Sequence, residues 1–256
     1  MCIRDRPKVP LRVWSADGTL LGEFGEERRD FVHLDQIPGF VRNAVLAAED
    51  NGFYEHSGIE FMGIARAALS NLLTGRRGQG GSTITMQVAR NFFLSSERTY
   101  TRKLYEVAMS YKIERHLTKD QILEVYLNQI FLGQRAYGFA AAARVYFDKK
   151  LDELTIGEAA TLAGLPVAPS AYNPIANPKR AKMRKDYVLK RMRDLQYIDE
   201  LTYETELKAP LVAKRGSLTG DQAPAETDVH AEYAAEMARM LVYDIFREET
   251  YTRGIN

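Results

Sequence analysis

The sequence predicts a mainly α-helical protein entered through one short β-hairpin, on three observations. Residues 11–15 and 19–24 alternate in polarity around Ala16-Asp17-Gly18, and two alternating runs joined by Asp-Gly specify a hairpin. After a charged connector at 26–30, apolar residues recur at helical spacing over 38–49, 60–74, 82–94, 100–116, 119–130, 137–146, 155–164, 178–196 and 199–208. Several of these runs carry start signals. Thr118 with Gln121, and Thr155 with Glu158, have the form of capping boxes, and Asn177 precedes Pro178 as an N-cap before a first-position proline.

Between these elements the chain is punctuated. Residues 74–81 form a Gly/Arg loop expected to be mobile. Residues 165–174 read as a Pro-punctuated extended segment that ends the compact helical region. Residues 215–227 are polar and turn-rich, and a last helix at 229–246 is expected to belong to something else. Residues 1–10 fit nothing downstream and read as a truncation scar.

At 256 residues, 45% apolar and 27% charged, the chain suits one large domain, or a domain with appendages, around a real core. A net charge of +1 gives no case for nucleic acid. The charge is uneven, however. From Arg76 to Lys119, nine Lys/Arg face Glu97, Glu106 and Glu114, a balance of +6, whereas residues 221–256 carry −5. A basic centre points to an anionic ligand. Cys2 is the only cysteine, so neither an internal disulfide nor a cysteine metal cluster can form. No apolar run is long enough to span a membrane, and no signal-peptide pattern is visible.

Five stretches stand out. Glu49 and Asp50 end an apolar helical run, where the helix carbonyls add negative character, and a loop with Phe53, His56 and Gly58 follows. Stability alone would prefer a cation there. Gly80-Gly81 feed a helix whose first turn is expected to hold Ser82 and Thr83. That is an anion site or an ordinary N-cap, with Gln87 and Arg90 on one face beyond it. Arg102 and Lys103 share a face with Glu106. They are either surface salt bridges worth a few tenths of a kcal/mol or a cationic pocket for phosphate with an acid inside it. Residues 119–128 read as core with a polar terminal Asn128, and the small residues of 138–147 as close-packed scaffold.

In order, EDxxFxxHxG at 49–58, GGSTITxQ at 80–87, RKxxE at 102–106, KxxILExYLN at 119–128 and GxxxAAxxYF at 138–147 resemble the peptidoglycan glycosyltransferase domain (family 51). That domain occurs in class A penicillin-binding proteins and monofunctional transglycosylases, and the resemblance covers about residues 29–173. It implies a lysozyme-like glycosyltransferase fold with a small membrane-associated lobe, expected over residues 60–80. It also implies an enzyme of the bacterial inner membrane, on the periplasmic face, polymerising lipid II into β-1,4 glycan with inversion and release of polyprenyl diphosphate.

Position by position, the resemblance makes Glu49 the general base and Glu106 the second essential glutamate. Arg90, Arg98, Arg102 and Lys103 become the diphosphate holders. Asp50, Ser82, Thr83 and Gln87 line the cleft, and Phe53 and His56 shape its loop. Met86 stands where many members have Gln, and Arg90 where many have Lys. Glu49 should have a modest pKa, kept ionised by the basic segment. The implied partners are lipid II, the growing glycan polyprenyl diphosphate, the membrane interface and moenomycin-type inhibitors, with no nucleic acid. A divalent cation (Mg or Mn) is compatible with the leaving diphosphate, but no motif requires one.

The resulting division is a hairpin at 11–27, a glycosyltransferase domain at 28–208, and the start of an interdomain linker at 209–256. No SxxK, SxN or KTG signature is present, so the expectation is a class A protein without its transpeptidase domain. A monofunctional transglycosylase is the alternative. A lysozyme-like glycan-cleaving enzyme is a further one, against which the cationic cluster argues, since hydrolysis needs no diphosphate site. Retention of both Glu49 and Glu106 argues against a non-catalytic scaffold.

Overall fold

The computed structural model describes residues 11–14, 20–24, 28–60, 81–93 and 100–213. Strands β1 (Leu11–Trp14) and β2 (Leu20–Phe24) pair antiparallel, with Leu11 opposite Phe24, as the Asp-Gly turn predicts. The expected charged connector holds a third strand, β3 (Arg28–Arg29), paired in parallel with β4 (Ala136–Tyr137). This shortens the helix expected from residue 137. Gly138, at φ +84°, separates strand from helix, and a Cβ there would lie 2.7 Å from the Asn128 carbonyl oxygen.

Eight α-helices follow among the described residues. They are α1 (Gly39–Glu49), α2 (Ile84–Phe93), α3 (Tyr100–His116), α4 (Lys119–Gln129), α5 (Phe139–Phe147), α6 (Ile156–Gly164), α7 (Pro178–Asp194) and α8 (Glu200–Lys208). Both capping boxes form, at Thr118–Gln121 and Thr155–Glu158. Asn177 sits at the N-cap of α7 but makes no side-chain cap; its Nδ2 donates instead to the Ser170 carbonyl at 3.1 Å.

Two packing units meet in one core. Helices α1, α6 and α7 pack mutually, and α2 packs on α3 and α4. Ala159, Ala160 and Ala163 of α6 are fully buried, and their small side chains let the larger neighbours approach. On α4, Glu124 and Asn128 hold the strand-like segment after β3. Asn128 exchanges two 2.8 Å hydrogen bonds with the Val32 backbone, and Leu34 N–H donates to Glu124 Oε2 at 2.7 Å. The terminal Asn128 of the motif thus ties the chain entry to the core.

Residues 165–177 do not end the compact region. They form successive turns, with Ala168 N–H donating to Leu165 O at 3.1 Å and Asn177 N–H to Asn173 O at 2.7 Å, and they return the chain to α7. Lys185 of α7 is 2% exposed, and its Nζ donates to the carbonyls of Glu206 at 2.7 Å and Ala209 at 3.1 Å. This ammonium replaces water for the last carbonyls of α8.

The helix expected at 60–74, the Gly/Arg loop, Arg98, the linker at 215–227 and the helix at 229–246 lie outside the described residues, Glu60 and Gly81 aside. Among those described, no helix is long and apolar enough to cross a membrane.

Candidate active site

The end of α1 splits its two carboxylates. Asp50 caps the helix, its N–H donating to Leu46 O, and its side chain takes partners different from those of Glu49. Asp50 is 5% exposed; Oδ2 accepts from Ile84 N–H at 3.0 Å, and Oδ1 from His56 Nε2 at 2.9 Å. Gly58 N–H donates to His56 Nδ1 at 3.1 Å, so the network assigns the ring proton to Nε2, which donates to Asp50. Thr83 Oγ1 donates to Gly58 O at 2.6 Å and accepts from Met86 N–H at 3.2 Å.

Helix α2 therefore begins at Ile84, and Ser82 and Thr83 precede it rather than forming its first turn. Its positive end, read as either an anion site or an ordinary N-cap, receives the protein's own Asp50. Phe53 is fully buried in the same loop, with Lys119 Nζ 4.5 Å from its ring centre. Met86 is fully buried and does not line the cavity, so its departure from the family pattern leaves the cavity surface unaltered.

Glu49 remains directed at the cavity. Gln87 Nε2 donates to its Oε2 at 2.7 Å, while Oε1 is buried with no hydrogen-bond partner among the described residues. Burial pushes the carboxyl pKa up, and Asp50 adds to the rise. The Gln87 hydrogen bond and the cations Arg184 and Arg90 pull it back only in part. This corrects the expectation that the basic segment keeps the pKa modest. One charge from α2 and one from α7 do not offset the lost water.

The cavity beside Glu49 encloses about 370 Å³. One wall is Asp50, Ser82, Thr83, Gln87 and Arg90; the other is Pro166, Val167, Arg184, Tyr187 and Arg191. Arg184 lies 4.6 Å over the Tyr187 ring, and its Nε donates to Gly164 O at 3.4 Å. A Cβ at Gly164 would meet Arg184 Cγ at 2.6 Å, so the glycine makes room for this side chain. Arg191 donates to Ala47 O at 3.4 Å and to Asn51 Oδ1 at 3.1 Å, satisfying the end of α1.

Sequence reasoning missed Arg184, Tyr187 and Arg191. Helix α7 carries eight Lys/Arg, and such composition does not reveal which of them face a cavity. The available signal was that Arg184 and Arg191 lie two turns apart on one face, beside the buried Val188, Leu189 and Met192.

Glu106 forms a separate cluster on α3. It is 1% exposed, with Lys103 Nζ at 2.9 Å from Oε2 and Arg102 Nε at 3.2 Å from Oε1. Lys103 Nζ also donates to Ser82 Oγ at 2.8 Å, which joins this cluster to the cavity wall although none of the three lines the cavity. Among the described residues, no group of three or more His, Cys, Asp or Glu is placed to hold a metal ion, so these side chains do not by themselves fit Mg or Mn.

Residues 17–193 match the family model described as Transglycosylase. The chain is 51% identical over 249 residues to penicillin-binding protein 1A of Neisseria meningitidis, covering 97% of this chain and 30% of that protein. It is 44% identical over 247 residues to penicillin-binding protein 1A of Pseudomonas aeruginosa, covering 96% and 29%. The crystal structure of penicillin-binding protein 1A from Haemophilus influenzae aligns with a TM-score of 0.53 at 32% identity, over 96% of this chain and 26% of that one. The chain thus spans about 30% of the length of the curated relatives it matches. The family match runs beyond the last sequence motif and includes α7 as far as Arg193, and with it the wall bearing Arg184, Tyr187 and Arg191.

Proposed function

This chain belongs to the transglycosylase family, and from that premise we propose that it is a peptidoglycan glycosyltransferase that polymerises lipid II during cell wall synthesis. The observation that carries the proposal is Glu49, a carboxylate with raised proton affinity and a bare oxygen, set in a cavity with cations on both walls.

In the proposed reaction, the Glu49 carboxylate removes the proton from the sugar 4-hydroxyl of the acceptor. That oxygen attacks the anomeric carbon of the donor on the face opposite its α-linked diphosphate, forming the β bond. The diphosphate leaves with the bonding electrons, and the proton stays on Glu49 until solvent takes it. Each cycle brings together two diphosphates, one on the donor and one on the acceptor. Two cationic walls suit this demand: Arg90, backed through Ser82 by Lys103 and Arg102, and Arg184 with Arg191 opposite. Positive charge fixed at the leaving group lowers the barrier without a general acid. A Mg or Mn ion would draw its ligands from the diphosphate itself.

The polyprenyl tail keeps the substrate in a bilayer, so the reading places the domain at the periplasmic face of the inner membrane. Phosphoglycolipids of the moenomycin type are the expected competitive inhibitors. A glycan-cleaving enzyme would have no use for cations on two walls.

The test is polymerisation of lipid II by the purified chain, with Glu49→Gln alongside. A lost general base costs about 10²–10⁴-fold in rate. Activity of the variant within a factor of two of wild type, or cleavage of finished glycan without polymerisation, overturns the reading.

A further inference from the structure

Tyr126, on α4, is 1% exposed, and its hydroxyl is buried without a hydrogen-bond partner among the described residues. Such a group is uncommon in a folded protein. The fold is able to satisfy a buried tyrosine, since Tyr146 donates to Leu132 O at 2.9 Å. Helix α4 packs on α2, and the charged groups that act on the Tyr126 hydroxyl are Glu49, Arg90 and Asp50. Of these, Asp50 has both oxygens engaged, by Ile84 N–H and His56. Glu49 alone offers a buried oxygen with no partner, Oε1.

We propose that the Tyr126 hydroxyl is a positioning donor for the Glu49 carboxylate, closing on Oε1 directly or across one buried water when Glu49 is ionised. The carboxylate is then held between Gln87 on α2 and Tyr126 on α4. The bond loosens when Glu49 accepts the acceptor's proton. Tyr126 keeps its own proton throughout, because burial and the neighbouring Glu49 charge push its pKa well above the ordinary value. The groups that act on Glu49 are Gln87 and Arg90 of α2, Arg184 of α7 and Asp50 of the following loop, and the Glu49 charge in turn acts on Tyr126 of α4. A donor to the charged form lowers a carboxyl pKa, so Tyr126 restrains the rise that burial imposes.

The catalytic part of this inference rests on the proposed role of Glu49; the electrostatic part does not. The experiment is Tyr126→Phe, which removes one oxygen and keeps the ring. Glutamate carboxyl carbons are labelled with ¹³C, and the Glu49 signal is identified by its loss in Glu49→Gln. In Tyr126→Phe the Glu49 titration should move up by about one pH unit. The acidic limb of kcat/KM for lipid II should move with it, giving a roughly tenfold lower rate below the limb, with KM unchanged. An unshifted Glu49 titration, whatever the melting temperature, overturns the proposal and leaves Tyr126 a packing residue. A shifted titration in a protein that polymerises nothing upholds the pairing and overturns the proposed function instead.

Discussion

Glu49 and Glu106 are buried glutamates in opposite surroundings. Glu49 holds one neutral hydrogen bond, from Gln87 at 2.7 Å, and leaves Oε1 bare. Glu106 is clamped by Lys103 at 2.9 Å and Arg102 at 3.2 Å. A base must be free to take up a proton, whereas a charge clamp must stay put. On the proposed mechanism the two divide the work: Glu49 is the base, while Glu106 holds two cations in place and aims Lys103 at Ser82.

The largest expected effect is on Glu49→Gln, which separates activity from stability. Its folded-state pKa is raised, so its contribution to stability is complete below the unfolded pKa and is lost as pH rises through the folded value. The variant should therefore melt higher than wild type at neutral pH, with the gap closing toward about pH 4. Thermal melts across pH check this, and a lower melting temperature at neutral pH would break the contrast.

Next come the cations of the second wall. Arg184→Ala and Arg191→Ala should each weaken kcat/KM for lipid II by roughly 10–100-fold, the worth of one charge-assisted contact. Steady-state kinetics, with calorimetry of a phosphoglycolipid inhibitor, would show whether this wall meets substrate. Binding equal to wild type in both variants would confine it to scaffolding.

Glu106→Gln should act in the opposite sense to Glu49→Gln. It removes the counter-charge from Arg102 and Lys103 and should cost about 1–3 kcal/mol, lowering the melting temperature by several degrees. A rise would erase the distinction between the two glutamates. The smallest effect is expected for Gln87→Leu. Losing the Gln87 hydrogen bond, which lowers the Glu49 pKa, should move the acidic limb of kcat/KM upward by less than about one pH unit.

Local chemistry made much of the fold legible. The Thr118 and Thr155 boxes mark helix starts because their signals are complete within four residues, and α3 occupies the predicted 100–116. The β3–β4 pair was invisible because two residues on each side leave no alternation to read. The turns at 165–177 looked like an exit from the core because proline announces a break without saying where the chain goes next. At the site, the end of an apolar run singles out Glu49 and helical spacing pairs Gln87 with Arg90, whereas their roles come from the family resemblance. The capping of α2 by Asp50 is a contact 34 residues distant, and no local pattern encodes it. Arg184 and Arg191 were hidden among like charges.

Lys185 gives α7 a mechanical character. Its ammonium grips the Glu206 and Ala209 carbonyls at the point where the backbone leaves α8, and the next residue back is Arg184 of the cavity wall. Tension that reaches Ala209 is thus passed to one side chain on the cavity helix. Gly164, pressed against the Arg184 stem, leaves no slack to absorb it. A pull at Ala209 is a torque on the helix that carries a cation of the cavity beside Glu49.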